Sequence, residues 1–348
     1  MKTEKEKQLT KDLLTWYDAN ARILPWRELP TPYRVWVSEI MLQQTRVEAV
    51  KPYFERFVKT LPDVKDLAYA SEDVLRKLWE GLGYYRRVSN MKKAAIQCME
   101  QYHGKLPSNY QELLTLSGIG PYSAGAIASI AFKERVPAVD GNVLRVFSRV
   151  LLSEDDILKE STKKKFQELL MDYIPEDRPD AFNQAVMEIG AMVCVPNGAP
   201  KCKKCPIASH CEAHQRGMEE TLPIKKPKKK RSIEEKYIDV LIYQNKVLLQ
   251  KRKEDGLLAG LYEFKTFDCK EEEELFLREL NIEQIVPLKD SKHIFTHKEW
   301  HMKGKLIFLN QELPGEWVEI EDMVANYAIP TALKAYKEAV WEWMRHIR

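Results

Sequence analysis

Two carboxylates, four crowded cysteines and a pair of glycines are the residues of this 348-residue sequence whose types and spacing could do chemistry. Glu39 lies in TPYRVWVSEIMLQQTRVEAV. There Thr31 is a candidate N-cap and Pro32 a first helical residue. On a helical wheel Val37, Ile40, Met41 and Val47 form an apolar stripe, with Glu39 at its edge near Trp36 and Gln43. A carboxylate against apolar surface has its charged form disfavoured, so its pKa rises. A raised pKa suits a general acid. The plainer alternative is a glutamate on a helix surface. Asp140, in VPAVDGNVLRVFSR, follows an apolar run and precedes Gly141. It is either a simple helix cap or a carboxylate kept ionised by the helix dipole and free N–H groups. One protonated and one ionised carboxylate make the pair that cleaves a glycosidic bond through an oxocarbenium-like transition state. An N-glycosidic bond to a base poses the same demands.

Cys194, Cys202, Cys205 and Cys211 give the spacing C-x7-C-x2-C-x5-C, while Cys98 and Cys269 stand alone. Thiols in a reducing compartment do not form a disulfide framework, so metal is the better reading. Only one C-x2-C knuckle is present where structural zinc commonly shows two. The spacing leaves an iron–sulfur cluster, zinc and unrelated cysteines open. Gly118 and Gly120, in LSGIGPYSAGAI, resemble a phosphate-binding turn. A dinucleotide fingerprint would need a glycine or alanine where Ser123 stands, and a strand before Gly118. The preceding NYQELLTL is helical in composition, so the dinucleotide reading fails.

The elements that must position these residues fall into two groups. Apolar residues recur at three and four positions in KDLLTWYDANARILPW, VWVSEIMLQQTRVEAV, EDVLRKLWEGLGYY and FQELLMDYI, so residues 1–218 read as helical. Residues 219–234 form a polar linker, with six cations in KKPKKKR at 225–231, a run also attractive to phosphate. Residues 235–348 alternate between strand and helix. KYIDVLIYQNKVLLQKR is a hairpin turning at Gln244–Asn245, KHIFTHKEWHMKGKLIFL gives two more strands, and KEEEELFLREL and TALKAYKEAVWEWMRHIR are helical. The net charge of +3 says little about partners. There is no run of eighteen apolar residues, so no membrane span is expected. The charged N-terminus lacks a secretory core, which points to a cytoplasmic, nucleoid-associated protein.

Together, VWVSEIMLQQTRVEAV, WEGLGYYRR, LSGIGPYSAGAI, AVDGNVLRV, the cysteine cluster and HIFTHKEWH resemble the MutY-type adenine DNA glycosylases, over nearly the whole chain. These belong to the helix-hairpin-helix superfamily that includes endonuclease III. The resemblance implies a multidomain protein. An all-α helix-hairpin-helix glycosylase domain (hairpin about 108–132, iron–sulfur loop 194–211) is followed by an α+β Nudix-like domain. It implies one 4Fe–4S cluster on the four cysteines and, as partner, double-stranded DNA bearing adenine opposite 8-oxoguanine or guanine, bound by a monomer.

By the same resemblance Glu39 is the acid that protonates adenine and Asp140 stabilises the oxocarbenium ion, with Tyr122 and Asn142 as hydrogen-bonding supports. Trp26, Arg27 and Gln184 match the adenine pocket. Gln44, Thr45, Leu82 and Tyr84 match residues that wedge the duplex and read 8-oxoguanine. Gly118 and Gly120 become the hairpin that grips a DNA phosphate. His293, Phe295, Thr296 and His297 are the recognition residues of the second domain, with threonine where serine is common. The first cysteine gap is seven residues where six is usual, an insertion that costs little. Tyr122 stands where strand-cutting relatives carry a Schiff-base lysine, so a monofunctional enzyme is expected. KEEEELFLRELNIEQ lacks the glycine and spacing of a magnesium-binding Nudix helix and reads as a solvated face. Two alternatives remain: an endonuclease III-like enzyme for oxidised pyrimidines, which Tyr122 opposes, and a non-catalytic DNA-binding module, which Glu39 and Asp140 oppose.

Overall fold

The computed structural model describes residues 3–226 and 231–347. Residues 227–230, within the basic run, lie outside the described residues. The backbone divides into two compact units. One is Met1–Tyr69 with Asn90–Pro227; the other is Ala70–Ser89 with Lys228–Arg348. Residues 70–89, helical by their pattern, thus group with the C-terminal part of the chain.

The first unit is built of helices whose ends follow local chemistry. Helix α1 (Glu4–Asn20) opens on a capping box in which Thr3 and Glu6 each bond the other's backbone N–H. The apolar pattern continues past Asn20, but Pro25 forces Leu24 into an extended conformation and starts the short α2 (Pro25–Glu28). Helix α3 (Pro32–Leu42) begins as its sequence signals, with the Thr31 hydroxyl accepting from the Arg34 N–H at 3.3 Å. It stops at Leu42, and Gln44 turns the chain at φ 59°. Val47 therefore starts α4 (Val47–Thr60) instead of extending the stripe of Val37, Ile40 and Met41. Next come α5 (Val64–Tyr69), α6 (Glu72–Leu78), which belongs to the second unit, and α7 (Arg86–Gln101). Then follow α8 (Tyr110–Leu113), α9 (Pro121–Phe132), α10 (Gly141–Val150), α11 (Glu160–Leu170), α12 (Pro179–Met192) and α13 (Glu212–Gln215).

Helix α9 is apolar almost all round and buried from Ser123 to Ile130, as a central helix must be. It packs on α3 and α12, and α10 packs on α12. Gly190 of α12 allows the last contact: a Cβ there would stand 2.6 Å from the Cβ of Asn142. One continuous core joins Leu9 and Leu13 of α1 to Val146, Phe147, Phe182 and Ile189, and it extends under Ile207 and Cys211 of the cysteine loop.

In the second unit β1 (Ser232–Tyr243) is central. It turns at Gln244, φ 53°, into antiparallel β2 (Lys246–Lys251), the hairpin expected from the sequence. The short β3 (Tyr262–Glu263) pairs with β2 and β4 (Lys265–Phe267) with β1; α14 (Lys270–Arg278) follows. Strands β5 (Ile282–Pro287) and β6 (Ser291–Ile294) pair with β7 (Lys298–Leu309), which runs parallel to β1 from Ser232↔Lys298 to Ile242↔Phe308. Strand β8 (Glu316–Glu319) pairs with β2, and α15 (Ile320–Asn326) and α16 (Lys334–Ile347) close the unit.

The two faces of β1 bury different sets, as period-two alternation requires. Ile238, Val240 and Ile242 meet Tyr336 and Val340 of α16, while Leu241 meets Phe276 and Leu277 of α14 through Ile307 and Leu309. Asp239 shares the α14 face and is 0 % exposed. Neither of its oxygens has a hydrogen-bond donor among the described residues. Burial first, then the charge of neighbouring Glu273, pushes its pKa up to about 8, against the pull of Lys305. Glu273 is 1 % exposed and accepts from Lys305 Nζ at 2.6 Å. The glutamate run of α14 is therefore not a wholly solvated face: one of its members turns under the sheet.

Candidate active site

Glu39 and Asp140 face one recess of about 180 Å³ in the first unit, together with Trp26, Arg27, Thr45, Tyr122, Asn142 and Gln184. Glu39 is 5 % exposed on the inner side of α3. Tyr122, in the first turn of α9, donates its hydroxyl to Oε2 at 2.5 Å. Gln43 at the end of α3 donates to the Ser123 hydroxyl at 3.1 Å and ties the two helices together. Burial pushes the Glu39 pKa up to about 7; the Tyr122 bond pulls it down, Asp140 pushes it up and Arg27 pulls it down. The carboxyl thus holds a proton near neutral pH and can deliver it. Burial and the Glu39 charge hold the Tyr122 phenol well above its ordinary value, so it remains a donor.

Asp140 is the N-cap of α10. Its Oδ1 accepts from the Val143 N–H at 2.7 Å and its Oδ2 from the Asn142 amide at 2.6 Å. Asn142 is held in turn by Arg145 Nη2 at 2.9 Å. The cap expected from the sequence is present, but its electrical effect differs. Burial raises the Asp140 pKa by more than its backbone and amide donors lower it, so the net direction is upward. Directed donors still distinguish Asp140 from Glu39, whose hydrogen-bond partner among the described residues is the Tyr122 phenol.

Trp26 is buried edge-on to Phe54 at 5.4 Å and forms a fixed wall of the recess. Arg27 donates to Glu188 at 2.8 Å, and Arg22 grips the same carboxylate at 2.7 and 2.9 Å. Glu188 and Arg22 line the recess but were not among the expected residues. The available signal was spacing: Glu188 follows Gln184 by one helical turn and shares its face.

Other expected residues lie elsewhere. Gln44 is exposed in its left-handed turn, beside the recess-lining Thr45. Leu82 and Tyr84 belong to the second unit. Leu82 is only 7 % exposed, which does not suit a side chain presented as a wedge, whereas Tyr84 is 49 % exposed at φ 50°. The Tyr84 hydroxyl lies 3.1 Å from that of Thr296, in the turn between β6 and β7. His293 stacks edge-on against Phe295 at 4.6 Å, and Phe295 against Trp300 at 4.9 Å; burial lowers the His293 pKa. His297 is exposed, and its carbonyl accepts from the Ser232 N–H at 3.3 Å.

Between α8 and α9, Gly118 takes φ 76°, and a Cβ there would come within 2.6 Å of Asn90. Only glycine combines that dihedral with that approach. Gly120, the N-cap of α9, has open space where its Cβ would be.

The four cysteines line a common recess with Val146, Val150, Ile189, Val193 and Ile207. Arg149, in the last turn of α10, donates to Cys194 Sγ at 3.0 Å. Burial, then the Glu219 charge and the neighbouring sulfurs, pushes Cys202 up to about 11; at Cys205 burial likewise leads and the value reaches about 12. Four thiols so placed fit a cationic centre, which would hold them as thiolates. A second donor group, Cys202, His214 and Glu219, has its ligand atoms within 4.8 Å of one another.

Residues 37–172 match the family model of the HhH-GPD superfamily of base excision DNA repair proteins, and residues 238–339 match the NUDIX domain. An adenine DNA glycosylase of Buchnera aphidicola (subsp. Schizaphis graminum) is 33 % identical, over 89 % of this chain and 92 % of its own. The chain belongs to the adenine DNA glycosylase family. The adenine DNA glycosylase of Mus musculus is 34 % identical over 93 % of this chain and 76 % of its own. Among solved structures, a thermostable thymine-DNA glycosylase superposes with a TM-score of 0.56 at 26 % identity, covering 61 % of this chain and 98 % of that one. Membership of the adenine glycosylases makes this a base excision repair enzyme that works on DNA. Among the described residues, no helix is long and apolar enough to cross a membrane.

Proposed function

We propose that this glycosylase removes adenine paired with 8-oxoguanine or guanine by hydrolysing the N-glycosidic bond, leaving an abasic site. The observation that carries the reading is the shared recess: Glu39, titrating near neutrality, and Asp140, wrapped in donors, face the same space. Adenine turned out of the stack enters between Trp26, Arg27 and Gln184. Glu39 donates its proton to the departing base, and the Tyr122 phenol holds that carboxyl in place. As the bond breaks, positive charge develops on the sugar, and the Asp140 carboxylate meets it. Asn142 and the Val143 N–H fix the orientation of that carboxylate. Glu39, now ionised, accepts a proton from the attacking water. Tyr122 cannot form a Schiff base, so the strand is left intact.

Gly118, Gly120 and the α9 N-terminus bind a DNA phosphate in this reading, and Tyr84 with Thr296 meets the base opposite the adenine. Cys194, Cys202, Cys205 and Cys211 would hold one 4Fe–4S cluster, which when bound supplies a cationic anchor for the loop. The enzyme acts as a monomer.

The test is a base-excision panel on duplexes with adenine opposite 8-oxoguanine, guanine or thymine, and on thymine glycol. The wild type should release adenine from the first two, and Glu39→Gln should retain DNA binding without base release. Thymine glycol as the preferred substrate, or wild-type rates from the variant, would overturn the reading.

A further inference from the structure

Residues 70–89 are tied to the remainder of the second unit by polar contacts that converge on Glu80. Its Oε1 accepts from Lys337 Nζ at 2.7 Å and from the Ile329 N–H at 3.2 Å. Its Oε2 accepts from Lys77 Nζ at 2.7 Å. Lys77 also donates to the Val324 carbonyl at 2.7 Å and to that of Tyr327 at 3.2 Å, at the C-terminal end of α15. One carboxylate thus joins α6, the end of α15, the 327–329 loop and α16. The side chains of Glu80, Lys77 and Lys337 are 20, 25 and 17 % exposed, so water screens these bonds less than it would surface pairs.

Only three residues separate Glu80 from Tyr84, and Gly81, Gly83 and Tyr84 all have positive φ. This turn has little freedom. The Trp79 indole donates to the Gly83 carbonyl at 3.1 Å, and Arg87 donates to the same oxygen at 3.0 Å. The Arg87 guanidinium also lies 5.2 Å from the Trp79 ring and 5.6 Å from that of Tyr84. A displacement at Glu80 is therefore carried to Tyr84 instead of being absorbed between them. Tyr84 ends 3.1 Å from Thr296, which the β6–β7 turn holds.

We propose that Glu80 and Lys337 are positioning residues for recognition of the base opposite adenine, setting Tyr84 against Thr296. The pair belongs to the second unit and lines no part of the recess that holds Glu39 and Asp140, so it acts on discrimination and not on bond cleavage. The inference rests on the reading that Tyr84 and Thr296 meet that base.

Single-turnover adenine release from 8-oxoguanine:A and G:A duplexes should be compared in the wild type, Glu80→Gln, Lys337→Gln and Lys337→Arg. Losing one partner of the pair should lower the 8-oxoguanine:G rate ratio by about tenfold, since a misplacement of order 1 Å can cost that much or more. The G:A rate should stay within about twofold, and Lys337→Arg should restore most of the ratio. The G:A rate also reports folding, and the milder Lys337→Gln covers the case in which Glu80→Gln fails to fold. Equal loss on both duplexes, or an unchanged ratio, would overturn the proposal. Tyr84→Ala separates the two claims. If it lowers the ratio while the Glu80 and Lys337 variants do not, only the positioning role falls. If it too leaves the ratio unchanged, the Tyr84 reading itself is wrong.

Discussion

Glu39 with Asp140 in the first unit and Asp239 with Glu273 in the second are two carboxyl pairs that differ in what surrounds them. Glu39 and Asp140 open onto a recess, with a phenol aimed at one and an amide and a backbone N–H aimed at the other. Asp239 and Glu273 are sealed between α14 and the sheet, with one lysine for two acids. Burial drives the pKa upward at Glu39, Asp140 and Asp239 alike. A perturbed carboxyl is therefore not by itself a sign of catalysis. What separates the pairs is access for a substrate and donors directed at specific oxygens. Asp239 has neither, and burial without a donor among the described residues favours its protonated form.

Substitutions can break this comparison, and the largest effect is expected at Glu39. Glu39→Gln keeps the shape but cannot release a proton, so single-turnover adenine release should fall by about 10³-fold or more. Asp140→Asn removes the charge that in the proposed mechanism faces the sugar and should cost about 10²- to 10³-fold, with adenine-duplex affinity nearly unchanged in a gel-shift assay.

The pH profile sharpens the contrast. With Glu39 titrating at about 7, adenine release should fall as pH rises above that value, because the acid form is lost. The Tyr122 bond favours the charged form, so Tyr122→Phe should move this limb to higher pH while lowering the rate. A limb moving to lower pH would contradict the direction argued for that bond.

The smallest effect is expected in the sealed pair. In the fold Asp239 keeps a proton to about pH 8 that the unfolded chain releases near the ordinary aspartate value. Its contribution to stability is complete below that ordinary value and is lost as pH rises through about 8. Asp239→Asn has no such loss. Its melting temperature should exceed that of the wild type by roughly 2–4 °C at pH 9, less at pH 6, with adenine release unchanged. A variant that melts lower than the wild type at pH 9 would show that the ionised carboxylate is stabilising.

Signals confined to a few residues were legible in the sequence. The start of α3, the turn at Gln244 and the Asp140 cap depend on neighbours within four positions, and each is where its pattern indicates. Continuous apolar periodicity misled at Val47, because a single left-handed residue at Gln44 ends one helix without interrupting the pattern. Long-range packing was less visible. Nothing near Glu273 in the sequence tells which member of KEEEEL turns under the sheet, since Lys305 lies 32 residues away. Residues 70–89 look like the rest of the helical part, and only their distant partners Glu254, Val324, Ile329 and Lys337 assign them to the second unit. The recess was legible at Glu39 and Asp140 through the family resemblance, but the pairing of Arg22 with Glu188 was not, because it spans 166 positions.

Helix α10 has Asp140 at its front end and Arg149 on Cys194 Sγ at its back, with Arg145 between them donating to the Cys194 and Gly190 carbonyls. Ten residues make a rod of about 15 Å. The cysteine loop is therefore the rear abutment of the strut whose tip carries the Asp140 carboxylate. Loosening that abutment would spoil aim before it altered charge, as a camera on a shaken tripod loses its frame while its lens stays intact.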